Sequence, residues 1–280
     1  MMLNAEKTER SLLFAVLLLL AVALFAPPLT QPVHQHAFAD PRGWAHIPCA
    51  LNVLSNLPFL LWGAAGLGWL ERSRALASPV TSLYRVQRRL AVLFFTGLLL
   101  TAALSGVYHW RPDDSGLAMD RLGMVVAFAG LLGLAAADRA TPRAGVWLAA
   151  AVLLLGPLSV WTWFVTGNVL PWVAVQFGGM LLVLALACLK PLPDALAIRW
   201  GMVIMIYAAA KGFEMADEAV YVATSQLISG HSLKHVVASF AAWPVVAAWL
   251  IHDKSRAESG SAQRARRAMP AGSRSKQPAA

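Results

Sequence analysis

Charged residues are scarce in this 280-residue sequence: Asp, Glu, Lys and Arg make up 13% of it, about half the share found in soluble domains. That shortage excludes an ordinary water-soluble enzyme. Cysteine is rarer still, with only Cys49 and Cys188, too few for a disulfide framework. Internal repeats are not visible, which disfavours a transporter assembled from two matching halves. Acidic side chains number 14 against 23 basic ones, a net charge of +9. The placement of the basic residues, given below, ascribes that excess to membrane topology and argues against nucleic acid as a partner.

What the chain has in abundance is apolar length: 58% of residues are hydrophobic and the mean hydropathy is +0.60. Because one crossing needs about 20 apolar residues, the long runs at roughly 11–29, 47–70, 90–110, 117–137, 144–165, 169–189, 197–219 and 230–251 read as membrane spans. The expected fold is therefore an all-α polytopic bundle. Three parts are expected: 1–39 as an N-terminal hydrophobic helix and outer linker, 40–252 as a seven-helix transmembrane domain, and 253–280 as a basic, disordered tail. Within the first part, Ala37-Phe38-Ala39 before Asp40 resembles a signal-peptidase site. The segment is thus either a cleaved signal or, as its long stretch from Pro27 to Ala39 favours, a retained helix.

If the spans alternate, one side collects Lys7 and Arg10, then Arg72, Arg74, Arg85, Arg88 and Arg89, then Arg139, Arg143, Lys190 and Arg199, and finally the basic tail. The other side receives Arg42 and Arg111. The positive-inside rule then expects a cytoplasmic C-terminus. Cys49 and Cys188 fall near opposite faces, roughly 30 Å apart and too far to bridge.

An ionisable group at membrane depth costs on the order of 2.5–3.5 kcal/mol on insertion scales, so each one asks for a reason. The candidates are His109, Asp120, Arg121, Lys211, Glu214, Asp217, Glu218, His231, Lys234 and His235. The alternation puts all of them towards the non-cytoplasmic face, although it was fixed without reference to any histidine. His231 and His235 are spaced i and i+4, which places them on one face of a helix. That spacing alone fits an interfacial pair as well as a metal pair, and His109 with Asp120 at the same depth favours metal. Three imidazoles leave a fourth position open, the arrangement of catalytic rather than structural zinc. Ser105 lies one turn before His109 and faces the same way, where its hydroxyl could point at a metal-bound water or an oxyanion; taken alone it reads as a small residue easing helix packing. His34, His36 and His46 are expected to be solvated loop residues. Trp44, Trp110, Trp161, Trp163 and Trp172 are expected to mark the interface on that side.

The string Ser105-Gly-Val-Tyr-His109, with Asp120 eleven residues on and His231-Ser-Leu-Lys-His235 near the end, resembles the alkaline ceramidase family within the CREST group of seven-helix membrane hydrolases. The segment Leu51-Asn52-Val-Leu-Ser55-Asn56-Leu-Pro58-Phe59 is similar to that family's first core helix. The resemblance spans about residues 40–249. It implies a zinc amidase in which His109, His231 and His235 hold the metal, Asp120 moves protons as general base and acid, and Ser105 helps bind the oxyanion. The implied substrate is a ceramide-like N-acyl lipid in the bilayer, hydrolysed to a fatty acid and an amine lipid. An obligate protein partner is not inferred. Two departures stand out. Cys49 occupies a position where the family's calcium cluster has a glutamate, leaving only Asp40 and Trp44 to answer to it, so calcium stays doubtful. Lys234 replaces a usual aromatic. A lipid esterase of the same group, a transporter and a b-type haem protein are the competing classes.

Overall fold

The structure, a computed structural model, describes residues 2–32, 35–74 and 81–268. It is all-helical. Among the described residues there is no strand, and two isolated bridges, Thr30 with Asn168 and Trp44 with Ile47, supply the extended pairing. Seven helical segments are long and apolar enough to cross a membrane, which makes the chain an all-α polytopic bundle.

Helix α1 (Met2–Phe25) ends just before Pro27 and Pro28, whose missing N–H groups cannot continue it. The next span is broken. Helices α2 (Ala50–Leu54) and α3 (Leu57–Arg74) are separated because Pro58 cannot donate back to the Leu54 carbonyl. Helices α4 (Ser82–Trp110), α5 (Asp114–Arg139) and α6 (Pro142–Thr166) form the centre. Thr81, Asp113 and Thr141 cap their first turns by accepting from backbone amides. Small residues let α4 and α5 touch backbone to backbone: a Cβ on Gly97 would lie 2.2 Å from the Ala127 nitrogen, and one on Gly130 would lie 2.3 Å from the Phe94 nitrogen.

Helix α7 (Leu170–Val173) runs through a single π turn, Ala174–Gly178, into α8 (Gly179–Ala187). The expected span over 197–219 is interrupted. Helix α9 (Trp200–Met215) has 16 residues, and α10 (Asp217–Ala223) follows a break at Ala216. That segment is too short to count among the seven. The last span is also in two pieces, α11 (Gly230–Ser239) and α12 (Ala242–Ala268). Pro244 in the first turn of α12 fits a restart, where its missing N–H costs no helical hydrogen bond.

Helix α12 corrects one expectation. Disorder was anticipated from residue 253, yet the helix continues to Ala268. Tertiary contacts explain its start: the Ser73 hydroxyl donates to Asp253, and the Arg256 guanidinium lies 4.8 Å from the centre of the Tyr84 ring. Residues 269–280 lie outside the described residues.

At the opposite end of α5 from its Asp113 cap, Asp138 is fully buried. Its carboxylate accepts from Gln87 Nε2 at 3.1 Å, from the Ala197 amide at 3.0 Å and from Trp200 Nε1 at 3.0 Å, and it pairs with Arg139 Nε at 3.1 Å. Arg139 in turn donates to the carbonyls of Leu189 and Ile198. One side chain thus ties α4, α5 and the start of α9 together. Cys49 and Cys188 are both free thiols.

Candidate metal centre

His109 stands at the C-terminal end of α4, and His231 and His235 occupy successive turns of α11 on one face. Ser229 caps α11 by accepting from the Ser232 amide at 3.2 Å. Gly230 lets this end press against the end of α9: a Cβ there would lie 2.2 Å from the Phe213 carbonyl oxygen. Asp217 secures the junction by accepting from the His231 amide at 2.7 Å.

The three imidazoles converge. Each pair of ring centres is 4.8 Å apart, and one ligand atom from each lies within 4.8 Å of the others. His109 is 1% exposed and His235 5%. Nε2 of His109 and Nε2 of His231 face each other at 3.3 Å. Two nitrogens on arms of about 2.0–2.1 Å at a tetrahedral angle would stand roughly 3.3 Å apart, so the pair fits a shared ion. A hydrogen bond between those two rings would leave the third unexplained. Among the described residues, no other group of three or more His, Cys, Asp or Glu side chains gathers in this way.

Ser105 and Asp120, on facing stretches of α4 and α5, also meet, with the Ser105 hydroxyl directed at the Asp120 carboxylate. Lys234 extends from α11 and acts electrostatically on Asp120 and on all three histidines. Its ammonium is 2.9 Å from Glu214 Oε1, while Lys211 pairs with the other oxygen of Glu214. The acidic group of α9 and α10 therefore divides into separate roles. Glu214 bridges two lysines, Asp217 binds backbone amides, and Glu218 is exposed.

Arg121, beside Asp120 in sequence, is 6% exposed. It stacks over Trp163 at 4.1 Å and Trp172 at 5.6 Å and donates to Gln31 Oε1 at 2.7 Å. Two tryptophans expected at the interface thus face inward, where their rings lie against the buried guanidinium. Trp44, Trp110 and Trp161 remain exposed.

Residues 35–49, leading into α2, cross over the cluster. The Phe38 ring sits 4.8 Å from His109 and 4.6 Å from His231. This strap is pinned along its length. His36 meets the Tyr108 hydroxyl and Asp114 at 3.0 Å each, the Ala39 amide donates to Asp217 Oδ2 at 3.1 Å, and Arg42 donates to the Leu227 carbonyl. His36 is therefore bonded rather than solvated, which corrects that expectation although it does lie in a loop; the surface position of His46 matches its reading, and His34 lies outside the described residues. His46 sits at the tip of a turn in which Trp44 and Ile47 exchange backbone hydrogen bonds of 3.0 and 2.9 Å, with φ of 49° at Ala45 and 67° at His46, the left-handed pair of a tight hairpin turn.

Asp40 does not present a free carboxylate. Arg42 donates to Oδ1 through Nε at 2.7 Å and to Oδ2 through Nη2 at 2.8 Å, and the guanidinium holds the carboxyl below its ordinary range. Burial, together with the Asp40 charge, pushes the Cys49 thiol up.

A scan against protein-family models and a search of curated proteins find no match to this chain.

Proposed function

We propose that the chain is a metal-dependent membrane hydrolase that cleaves the N-acyl bond of a ceramide-like lipid, as the resemblance to alkaline ceramidases implies. The observation that supports this reading most is the convergence of His109, His231 and His235 beside a Ser105–Asp120 pair. Three neutral nitrogens with a carboxylate and a hydroxyl at hand suit zinc in an open catalytic site. Bound there, the ion would supply Lewis-acid activation of water and of the scissile carbonyl.

The chain's own residues take the remaining work. Asp120 accepts a proton at its carboxylate and returns it to the departing amine. The Ser105 hydroxyl, already directed to Asp120, turns to the developing oxyanion, a contact worth about 2.7–4 kcal/mol in comparable sites. Lys234 balances the carboxylate's charge. A site among helix ends would meet an amide bond near the headgroups while the acyl chain lies along apolar helices. The basic loops would place it at the non-cytoplasmic face, with the C-terminus in the cytoplasm. A haem would need axial rings on opposite sides of a macrocycle, and nitrogens 3.3 Å apart leave it no room.

The test is fatty-acid release by the purified protein offered matched amide and ester lipids. Turnover of the amide, lost in both His231→Ala and Asp120→Ala, is the expected result. Turnover of the ester alone would reassign the substrate, and full turnover in Asp120→Ala would remove its proton role.

A further inference from the structure

The Asn52–Ser55–Asn56 motif stands apart from the catalytic residues in sequence, yet it touches the metal centre. Ser55 lies at the break between α2 and α3, where its side chain points to α11. Its Oγ is 2.8 Å from His235 Nδ1 and donates its single proton to the Asn52 carbonyl at 3.0 Å. With that proton committed, the hydroxyl faces the histidine as an acceptor. An acceptor set against Nδ1 requires a proton on Nδ1, which leaves the lone pair on Nε2. The motif is anchored from behind as well, since the Asn52 side-chain oxygen accepts from Ser232 Oγ at 2.7 Å and Asn56 Nδ2 donates to the Asn52 carbonyl at 2.9 Å.

We propose that Ser55 is the positioning residue of the metal centre, fixing the His235 ring and its tautomer so that Nε2 is bare and aimed at the ion. The inference rests on the metal reading above and is independent of which bond is hydrolysed. Such an outer hydrogen bond sets both the orientation and the basicity of a ligating imidazole, and its loss costs about 10–100-fold in metal affinity. His235 differs in this from His109, whose buried Nδ1 has no hydrogen-bond partner.

The experiment is zinc titration of the full-length protein in detergent against a competing chelator, with the cobalt(II) absorption spectrum as a coordination signature. Parent protein, His231→Ala, Ser55→Ala, Ser55→Thr and Ser159→Ala are compared, each with a thermal melt. The expected result is tight binding in the parent, a large loss in His231→Ala, about 10–100-fold weaker binding in Ser55→Ala with an altered cobalt spectrum, recovery in Ser55→Thr, and parental affinity in Ser159→Ala, which removes a buried hydroxyl from α6 without touching the site. Ser55→Ala binding as tightly as the parent, or Ser159→Ala losing as much as Ser55→Ala, overturns the role of Ser55 while leaving the metal centre standing. Equal binding by the parent and His231→Ala overturns both.

Discussion

The aromatic ring of Phe38 rests 4.6 Å from the imidazole of His231 and 4.8 Å from that of His109, so a residue outside the bundle closes one side of its most polar cluster. Replacing it with alanine removes the cover while the Asp40, Ala39 and His36 anchors stay. Phe38→Ala is expected to retain its fold and to surrender zinc to a chelator several-fold faster than the parent. Unchanged extraction kinetics would show that the ring guards no access route.

Glu214 is the carboxylate shared by Lys211 and Lys234. Glu214→Gln leaves two ammonium groups facing each other without a counter-charge. Removing one partner of a fully buried pair costs about 3–5 kcal/mol; these side chains are 19–31% exposed, so a smaller loss is expected. Thermal melts should show Glu214→Gln clearly destabilised and Glu214→Gln/Lys211→Met partly restored. Failure of the second change to recover stability would separate the lysines from the effect.

Asp138→Asn tests the node at the other end of α5. The amide retains one acceptor but loses the charge facing Arg139, leaving a nearly buried guanidinium unpaired. A loss of about 3–5 kcal/mol is expected, with zinc affinity unchanged in the fraction that stays folded. Chemical denaturation paired with metal titration measures both.

The Asp40–Arg42 pair gives a pH dependence of definite sign. Because Arg42 lowers the carboxyl's value in the folded chain, the pair's stabilisation is complete above the unfolded value of about 3.9. It is lost as pH falls through the lower folded value. Asp40→Asn should therefore melt below the parent near neutrality, and the gap should close on acidification. A gap that widens in acid would contradict the assignment.

Much of the candidate metal centre was legible because its three histidines obey two periodicities at once. His231 and His235 share a helix face, and the alternation of basic loops brings His109 to their level. Spans were equally legible where apolar runs were long. Their interruptions were less so, since the breaks at Ser55–Asn56 and at Phe240–Ala241 hang on single prolines within apolar text. Asp138 read as the edge of a loop because nothing local reveals that Gln87 and Trp200, far away in sequence, converge on it. Trp163 and Trp172 looked like interface anchors for the same reason: their partner is a guanidinium on another helix. Ser55 carried the faintest signal, a lone hydroxyl beside asparagines, legible only once α2 and α11 are seen side by side.

The bond joining Ala39 to Asp40 follows the small-residue pattern that a leader peptidase cuts. Yet the Ala39 amide is clasped by Asp217, and Asp40 is 2% exposed. Proteases need a loose, extended stretch, and the finished molecule withholds one here. Any trimming at that bond belongs to the interval of translocation before α10 and α11 are in place. Once the final helices are in place, the bond is held against them and out of a peptidase's reach.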